Sequence, residues 1–412
     1  MSSAARRRAH GRLAALPGVR AVRRPAAPGA DGPGFDLYYV RVGRKSTHPI
    51  VIVPGGPGMA SIGPYQGLRR RAAAAGLDVI MVEHRGVGLS RRDASGADLP
   101  PEALTIEQVI DDIAAVLDDA RVAQAVVYGT SYGSYLAAGL GVRHPARVRA
   151  MILDSPVLGR VDIEIVRRAL RALLWHGEDP GTAELAAKVR RLVDHGQLTP
   201  ADAQLAATVY GIGGPRLLSA HFDLLLGGRR LLWTALERIG RRMANHTAPY
   251  RFEADLVGPI GFRELNFGGV PDGQPLDPAI AMREHPAGDI PFQGEPFDLI
   301  AALPGFSWPT VVLSGGRDLT TPPAVAERVA ALVPGAALVR LPTAGHSVLD
   351  TRERAALRVA AAVHAGHAAD LPSQGAALDA LPGRPAMRLT RTAIGAAVRL
   401  EAALPGLRLP TS

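Results

Sequence analysis

The sequence of 412 residues contains no cysteine. A chain without cysteine forms no disulfide bond, offers no thiolate ligand to a metal and has no cysteine nucleophile. The absence therefore excludes thiolate metal sites and enzymes that attack with a cysteine. It says little about the cellular compartment, because an exported enzyme can also lack cysteine.

Long apolar runs are also missing. No window stays apolar for the roughly 20 residues that a membrane-spanning helix requires, and the short apolar stretch at residues 13–16 ends at Pro17. This stretch is too short for the apolar region of a secretory signal peptide. We therefore expect a protein with no membrane span and a cytoplasmic location. A composition of 47% hydrophobic and 21% charged residues is typical of a soluble globular protein.

Acidic residues are scarce at both ends of the chain, which accounts for the formal net charge of +9. Residues 1–30 contain seven arginines and no acid, and residues 371–412 carry a net charge of +3. The remainder, residues 31–370, carries about −1, so we expect no nucleic-acid partner. We predict that the N-terminal residues form a basic flexible arm, and its electrostatic docking to a partner is the lesser alternative.

Short apolar runs alternate with amphipathic stretches over much of the sequence. The runs are typical of strands buried on both faces of a sheet, and an amphipathic helix is predicted to begin at Thr105. This alternation predicts an α/β fold with a mostly parallel sheet flanked by helices. The predicted strands lie at residues 37–42, 50–53, 79–82, 125–128, 151–153, 310–313 and 337–340.

The alternation stops between residues 157 and 300. This segment is helical and rich in arginine at first, and then rich in glycine and proline. Because the strand pattern resumes afterwards, we interpret the segment as a mainly helical cap inserted into one sheet. The predicted organisation is an N-terminal arm (1–34), a first core part (35–156), a cap (157–300), a second core part (301–370) and a basic C-terminal extension (371–412).

The pentapeptide Gly129-Thr130-Ser131-Tyr132-Gly133 separates a predicted strand from a predicted helix. A Gly-x-Ser-x-Gly sequence in this position places the serine in a tight turn, where only glycine leaves room for the neighbouring backbone. The hydroxyl is then exposed above the sheet. Ser131 is therefore the predicted nucleophile, and an ordinary glycine-rich turn is the alternative.

A serine hydroxyl needs a base within hydrogen-bond reach, and a carboxylate orients that base. In a sheet of this kind the acid and the histidine follow the serine in that order, each on a loop after a later strand. Asp318 and His346 occupy such loops, so they are the predicted acid and base. Asp154 also follows a strand and is the competing candidate for the acid.

Acyl transfer also requires hydrogen-bond donors for the oxyanion. One predicted donor is the backbone N–H of Tyr132, the residue after the nucleophile. The other is expected from residues 54–58, where glycines leave backbone amides free to point into the site. Gly56 is the favoured residue and Gly55 is the alternative.

Together the motifs resemble those of the proline-iminopeptidase and tripeptidyl-aminopeptidase group of α/β-hydrolase serine peptidases. The resemblance covers about residues 35–156 and 301–365, and the segment between them matches only as a helical cap in the same place. It implies the α/β-hydrolase fold with the cap inserted after the sixth strand. The motifs are Pro54-Gly55-Gly56-Pro57-Gly58, Glu83-His84-Arg85-Gly86-Val87-Gly88-Leu89-Ser90, the pentapeptide around Ser131, residues 315–322 and Gly345-His346.

The sequence departs from the pattern of this family in its cap. The family holds the amino group of its substrate with cap glutamates, one of which follows a tryptophan, and no tryptophan precedes a glutamate here. Glu264 is the cap carboxylate that we predict to bind the amino group, with Glu164 and Glu295 as weaker candidates. A solvated or salt-bridged acid is the alternative interpretation of each.

The sequence thus predicts a serine hydrolase in which Ser131, His346 and Asp318 form and resolve an acyl-enzyme, with no metal and no organic cofactor. The family resemblance implies an aminopeptidase acting on short peptides or amino-acid amides. One alternative is an esterase or a lactone or amide hydrolase of a small metabolite. The other is a non-catalytic α/β-hydrolase scaffold that binds a partner.

Overall fold

The computed structural model describes residues 3–26, 34–200, 202–245 and 247–404. Within these ranges the chain forms one sheet of eight strands. The strands are β1 (Val19–Arg24), β2 (Phe35–Val42), β3 (Ile50–Val53), β4 (Val79–Val82), β5 (Ala125–Thr130), β6 (Val148–Asp154), β7 (Thr310–Gly315) and β8 (Ala337–Leu341). Their order across the sheet is β1-β2-β4-β3-β5-β6-β7-β8. Strands β3 to β8 are parallel to one another, and β2 pairs antiparallel with both of its neighbours, β1 and β4. The predicted mostly parallel sheet is therefore confirmed.

The described ranges also contain seventeen α-helices. They are α1 (Ser3–Ala14), α2 (Gln66–Ala74), α3 (Ile106–Asp119), α4 (Tyr132–Arg143), α5 (Asp162–Arg171), α6 (Ala183–Asp194), α7 (Asp202–Leu226), α8 (Leu231–Asn245), α9 (Ala254–Val257), α10 (Pro259–Leu265), α11 (Pro278–Arg283), α12 (Leu299–Ala302), α13 (Pro323–Leu332), α14 (Val348–Thr351), α15 (Glu353–His364), α16 (Gly375–Asp379) and α17 (Pro385–Ala403). Eight of them, α5 to α12, lie between β6 and β7, so the predicted helical segment after the sixth strand is confirmed.

Helices cover both faces of the sheet. Successive residues of a strand point to opposite faces, and in β3 Val51 packs in one apolar cluster while Ile52 packs in another. The first cluster contains residues of α3, α4 and α13, and the second contains residues of α2 and α15. Every residue of β3 is therefore buried, as its continuous apolar sequence predicts.

Helix α3 begins where the sequence predicts it. Thr105 precedes the first helical residue, and its side chain accepts a hydrogen bond from the backbone N–H of Gln108 at 3.3 Å. This contact satisfies one of the amides that the first turn of a helix leaves without a partner. The apolar residues spaced three or four positions apart, such as Val109 and Ile113, are buried against the sheet.

The basic N-terminal segment is not the flexible arm that its charge suggests. Residues 19–24 form the edge strand β1, which pairs antiparallel with β2. Arg24 donates to Asp112, whose side chain is fully buried, at 2.8 Å. In α1, Leu13 packs against the core. The prediction is therefore wrong for residues 3–24, because an edge strand tolerates charged side chains and arginine stems can pack on a core. Residues 27–33 of the predicted arm lie outside the described ranges.

The cap has an apolar cluster of its own, formed mainly by helices α5 to α8. Buried ion pairs reinforce it, as between Arg167 of α5 and Asp277 at the start of α11, 2.9 Å apart. Helix α7 is interrupted at Gly214, whose φ of 73° is non-helical. Pro215 follows, so the helix kinks at this point.

The last helix, α17, packs on the cap helices α7 and α8. Both carboxylate oxygens of Glu401 accept hydrogen bonds from the first amides of α8, Leu231 at 2.9 Å and Leu232 at 2.8 Å. The C-terminal segment thereby satisfies donors that would otherwise lack partners at the start of that helix. Among the described residues, every helix is too short or too polar to span a membrane.

Candidate active site

Ser131 lies between β5 and α4, in a turn that only glycine neighbours permit. Its backbone has φ 53° and ψ −127°, a conformation that residues other than glycine rarely adopt. A Cβ on Gly129 would lie 2.2 Å from the carbonyl oxygen of Gly133, and a Cβ on Gly133 would lie 2.2 Å from that of Val53. Both positions are therefore restricted to glycine, and the strained turn is of the kind found at functional sites.

The structure brings the three predicted triad side chains into hydrogen-bond contact. His346 Nε2 lies 2.9 Å from Ser131 Oγ, and His346 Nδ1 lies 2.8 Å from Asp318 Oδ2. The serine precedes the acid by 187 positions and the histidine by 215, so the contacts depend on the packing of three separate strand ends. This geometry can transfer a proton from the serine hydroxyl to the imidazole.

Asp318 is fixed by the turn that carries it. Its Oδ1 accepts the backbone amides of Thr320 and Thr321, both at 2.9 Å, and its Oδ2 accepts the hydroxyl of Thr321 at 3.0 Å. Burial by itself would raise the pKa of Asp318, but the neighbouring imidazole of His346 and these hydrogen bonds outweigh it and lower the pKa. The carboxylate is therefore ionised and held facing the imidazole.

The contact with Asp318 raises the pKa of His346. Burial alone would lower the pKa of His346, but the charge and hydrogen bond of Asp318 outweigh it and raise the pKa above its ordinary value. The side chain of His346 is 29% exposed, whereas that of Asp318 is 1% exposed. The imidazole is thus supported from the protein interior and remains accessible on its other side.

Asp154, the competing acid, has a different position. Its Oδ1 accepts the backbone amide of Val348 at 3.0 Å, and its Oδ2 accepts that of Leu349 at 2.8 Å and the hydroxyl of Tyr128 at 2.9 Å. Its backbone carbonyl accepts the amide of Ser131 at 2.9 Å. Asp154 therefore ties the helix after His346 to the nucleophile turn and does not bind the imidazole. Burial raises the pKa of Asp154, because its effect is larger than that of the hydrogen bonds, which lower the pKa.

Ser347 is a supporting residue that sequence reasoning missed. Its backbone amide donates to Ser155 Oγ at 2.9 Å, and its hydroxyl donates to Asp350 at 2.7 Å. Thr130 donates its own hydroxyl to Ser347 at 3.0 Å. These contacts fix the loop of His346 to the ends of β5 and β6. The only signal in the sequence is proximity to His346, because serines in loops are common.

The glycine-rich loop after β3 lies directly against the nucleophile. A Cβ on Gly55 would lie 3.1 Å from Ser131 Cβ and 3.7 Å from Ser131 Oγ. The neighbouring Gly56 has φ 136°, a conformation that favours glycine. Tyr132 is the first residue of α4, where a backbone N–H has no acceptor within the helix. Gly55 and Tyr132 thus adjoin Ser131, and the roles of Gly56 and Tyr132 as oxyanion donors stay predictions.

The three predicted substrate-binding glutamates are all engaged in contacts within the protein. Glu264 accepts the backbone amide of Ile106 at 2.9 Å and pairs with Arg263 at 2.6 Å. Glu295 accepts the backbone amide of Arg160 at 2.5 Å. Glu164 is largely exposed and pairs with Arg167. At Glu264, where both carboxylate oxygens are engaged, an amino group would have to displace a partner or share an oxygen with it.

Comparisons with known proteins agree with this architecture. Residues 48–178 match the family described as alpha/beta hydrolase fold. A Streptomyces coelicolor protein named as a probable proline iminopeptidase is 26% identical over 160 residues, which make up 39% of this chain and 49% of that protein. An Azorhizobium caulinodans protein provisionally named as a carbamate hydrolase is 34% identical over 126 residues, or 31% of this chain and 43% of that protein. The matched region thus spans less than half the length of each relative.

A solved structure extends the likeness beyond this region. The proline iminopeptidase of Mycobacterium smegmatis has a TM-score of 0.52 at 18% identity, over 84% of this chain and 98% of that chain. At such low identity the similarity concerns the fold alone. With the strand order and the family match, it shows that this chain has the α/β-hydrolase fold.

Proposed function

We propose that this chain, which has the α/β-hydrolase fold, is a serine hydrolase that acts through an acyl-enzyme. The observation that carries the proposal is the continuous hydrogen-bonded row of Ser131, His346 and Asp318. The row combines a hydroxyl in a strained, accessible turn with a base and an ionised acid. This arrangement is suited to nucleophilic attack on a carbonyl carbon.

The reaction would proceed in two halves. Ser131 Oγ attacks the substrate carbonyl while His346 Nε2 takes its proton, and Asp318 stabilises the resulting imidazolium through Nδ1–H. The backbone amides of Gly56 and Tyr132 would donate to the oxyanion. His346 then protonates the leaving group, and the acyl group remains on Ser131. A water molecule, deprotonated by His346, then attacks the acyl carbonyl. The bond to Ser131 Oγ breaks, His346 returns the proton to that oxygen, and the acyl group leaves as a carboxylic acid that ionises. No step requires a metal or a cofactor.

Labelling by a fluorophosphonate tests the proposed nucleophile. We expect Ser131 to be labelled in the wild type, and labelling to be lost in Ser131→Ala and in His346→Ala. The exposed Ser95 offers a matched control, because Ser95→Ala should be labelled like the wild type. A wild-type protein that is folded but not labelled, or a Ser131→Ala variant that keeps the protein's function, would favour the non-catalytic scaffold.

For the substrate we propose a short peptide or an amino-acid amide with a free amino terminus. The support is the sequence similarity to proteins named proline iminopeptidase and the carboxylates in the cap. Glu264 is the first of these to test, although it already has two protein partners. An ammonium group could replace the guanidinium of Arg263 beside its Oε1.

The engaged state of Glu264 favours a second candidate, an esterase or an amide or lactone hydrolase of a small metabolite. Rates on a prolyl or alanyl anilide, on its N-acetylated form and on a p-nitrophenyl ester separate the two. An aminopeptidase should lose most of its activity when the amine is acetylated. Equal rates on the free and acetylated anilides would contradict the aminopeptidase proposal and leave the ester or amide hydrolase.

A further inference from the structure

The N-terminal helix α1 is attached to the segment of the cap that holds the glycine-rich loop. Arg6 of α1 pairs with Glu253 at 2.6 Å. Its guanidinium lies 5.5 Å from the ring centroid of Tyr250, and its carbonyl accepts the hydroxyl of Tyr250 at 3.0 Å. Three contacts thus join one residue of α1 to residues 250–253 of the cap. Helix α1, which the composition predicts to be part of a flexible arm, is therefore fixed to the cap at residues 250–253.

Glu253 is a buried carboxylate whose two oxygens face different parts of the protein. Its side chain has no exposed surface. Oε1 binds Arg6 and Oε2 accepts the backbone amide of Gly88 at 2.5 Å. A buried charge is costly unless it is paired and hydrogen-bonded. Among the ion pairs of the described residues, Arg6 supplies the only cation bound to Glu253.

The backbone around Glu253 holds the glycine-rich loop directly. The amide of Glu253 donates to the carbonyl of Gly58 at 2.9 Å, and the amide of Ala60 donates to the carbonyl of Arg251 at 3.0 Å. Phe252 forms a β-bridge with Met59. The cap segment 251–253 therefore pairs through a short antiparallel bridge with residues 58–60, which begin two positions after Gly56, the predicted oxyanion donor.

A close contact leaves this arrangement little freedom. A Cβ on Gly58 would lie 2.8 Å from the backbone nitrogen and Cα of Ala254. The loop and the cap segment are thus packed backbone to backbone, and a displacement of Glu253 would move residues 58–60 with it. Oxyanion donors must be placed to within a few tenths of an ångström to stabilise a transition state.

We propose that Arg6 is a positioning residue for the glycine-rich loop at residues 54–58, which contains the predicted oxyanion donor Gly56. Arg6 acts on this loop through Glu253 and residues 58–60. The inference rests on the proposed serine hydrolase function. The N-terminal helix is then part of the catalytic framework, although Arg6 touches no reacting atom. Arg6→Ala leaves a buried carboxylate without its cation, so Glu253 shifts toward solvent and the loop shifts with it.

The first test measures the loop without using activity. Hydrogen–deuterium exchange of peptides covering residues 55–62 should be several-fold faster in Arg6→Ala than in the wild type, because the Ala60 amide loses its partner more often. Arg8→Ala, at an exposed arginine of the same helix, is the matched control and should exchange like the wild type. Equal exchange in all three proteins would overturn the proposal.

The second test measures catalysis. We expect Arg6→Ala to lower kcat and the rate of fluorophosphonate labelling about tenfold with little change in KM, since one oxyanion donor is worth 100-fold or more. Arg6→Lys should restore most of the loss, because it keeps a cation near Glu253. Faster exchange together with a normal kcat, measured well below the melting temperature, would give Arg6 a purely structural role and overturn the proposal. A wild type that fluorophosphonate does not label would instead contradict the hydrolase function, while the exchange result still decides the loop contact.

Discussion

The core half of the candidate site and its cap half are held by different kinds of contact. In the core, Asp318 is fixed by amides and a hydroxyl two and three residues further along the chain. In the cap, Glu264 accepts the backbone amide of Ile106, which lies 158 positions away, at 2.9 Å. The machinery that attacks a carbonyl is thus built from tight local turns at strand ends. The surface that would select a substrate depends on pairs between distant residues.

This difference has a physical origin. A turn of a few residues is specified by the conformations that its own side chains permit, so a short motif is sufficient to encode it. A pair of distant charges forms only after the whole fold has brought them together. The core should therefore respond to substitution with large losses of rate, and the cap with smaller changes in stability and in substrate binding.

The largest expected effect is at the acid of the core. Asp318→Asn should lower kcat by about 10,000-fold, because an amide opposite Nδ1 stabilises the wrong tautomer of His346. Steady-state kinetics on the best anilide or ester substrate would measure it, with the melting temperature as a check on folding. A loss of less than about tenfold would show that another acid can orient His346. The activity would then depend less on Asp318 than the hydrogen-bond geometry indicates.

The pH dependence of the wild type tests the same pair. The pKa of His346 is raised by Asp318, and only the neutral imidazole can accept the serine proton. The acid limb of kcat/KM should therefore lie above pH 6.5, the ordinary pKa of histidine, and activity should fall about tenfold per pH unit below it. In Asp318→Asn the residual activity should persist to lower pH, because the variant lacks the carboxylate charge that raises the pKa of His346. An acid limb at or below pH 6.5 in the wild type would contradict the coupling.

The same distinction explains which features the sequence could predict. A Cβ on either glycine beside Ser131 would lie 2.2 Å from a backbone oxygen, so the motif in the sequence follows directly from the packing of the turn. The loops that carry Asp318 and His346 meet Ser131 because parallel strands end at one edge of the sheet. The fold class followed from the alternation of buried strands and amphipathic helices.

Features that depend on distant contacts could not be predicted. The carboxylate of Asp154 binds amides 194 and 195 positions away, and no local pattern distinguishes it from a catalytic acid. The docking of α1 depends on Glu253, which lies 247 positions from Arg6. From composition alone, the arginines of the N-terminal segment are predicted to be exposed to solvent. Composition does not show that Arg6 and Arg24 pair with buried carboxylates.

Asp154→Asn should affect stability more than chemistry. Asparagine keeps one acceptor oxygen, so one of the two amides at Val348 and Leu349 would face an N–H group and lose its partner. The expected cost is about 1–3 kcal/mol of unfolding free energy, with a loss of kcat far smaller than that of Asp318→Asn. Urea unfolding and steady-state kinetics would measure both, and Asp289→Asn, at an exposed aspartate, is the control. Equal losses of kcat in Asp154→Asn and Asp318→Asn would contradict the assignment of a structural role to Asp154 and a catalytic role to Asp318.

The kink of helix α7 offers a test on the side of the cap. Gly214 has φ 73°, and a Cβ there would lie 2.7 Å from the guanidinium carbon of Arg317, the residue before the triad acid. Gly214→Ala should destabilise the protein by about 1 kcal/mol or more and change KM more than kcat. The matched control is Gly240→Ala in α8, where a Cβ has no neighbour within 4 Å and alanine should slightly stabilise the helix. A kcat loss as large as that of Asp318→Asn would place this cap contact among the core determinants.

The smallest expected effect on kcat is at Glu264. Glutamine would still accept the amide of Ile106 but would lose the ion pair with Arg263. Because both side chains of this pair are largely buried, Glu264→Gln should cost about 1–3 kcal/mol of stability. If Glu264 only joins the cap to the core, the ratio of rates on free and N-acetylated anilides should match that of Glu184→Gln, at an exposed cap glutamate. A tenfold fall in that ratio, driven by KM for the free amine, would instead make Glu264 the amine receptor that the family resemblance implies. In that case one carboxylate would serve both the packing of the cap and the choice of substrate, and the two halves of the site would be less separate than their contacts indicate.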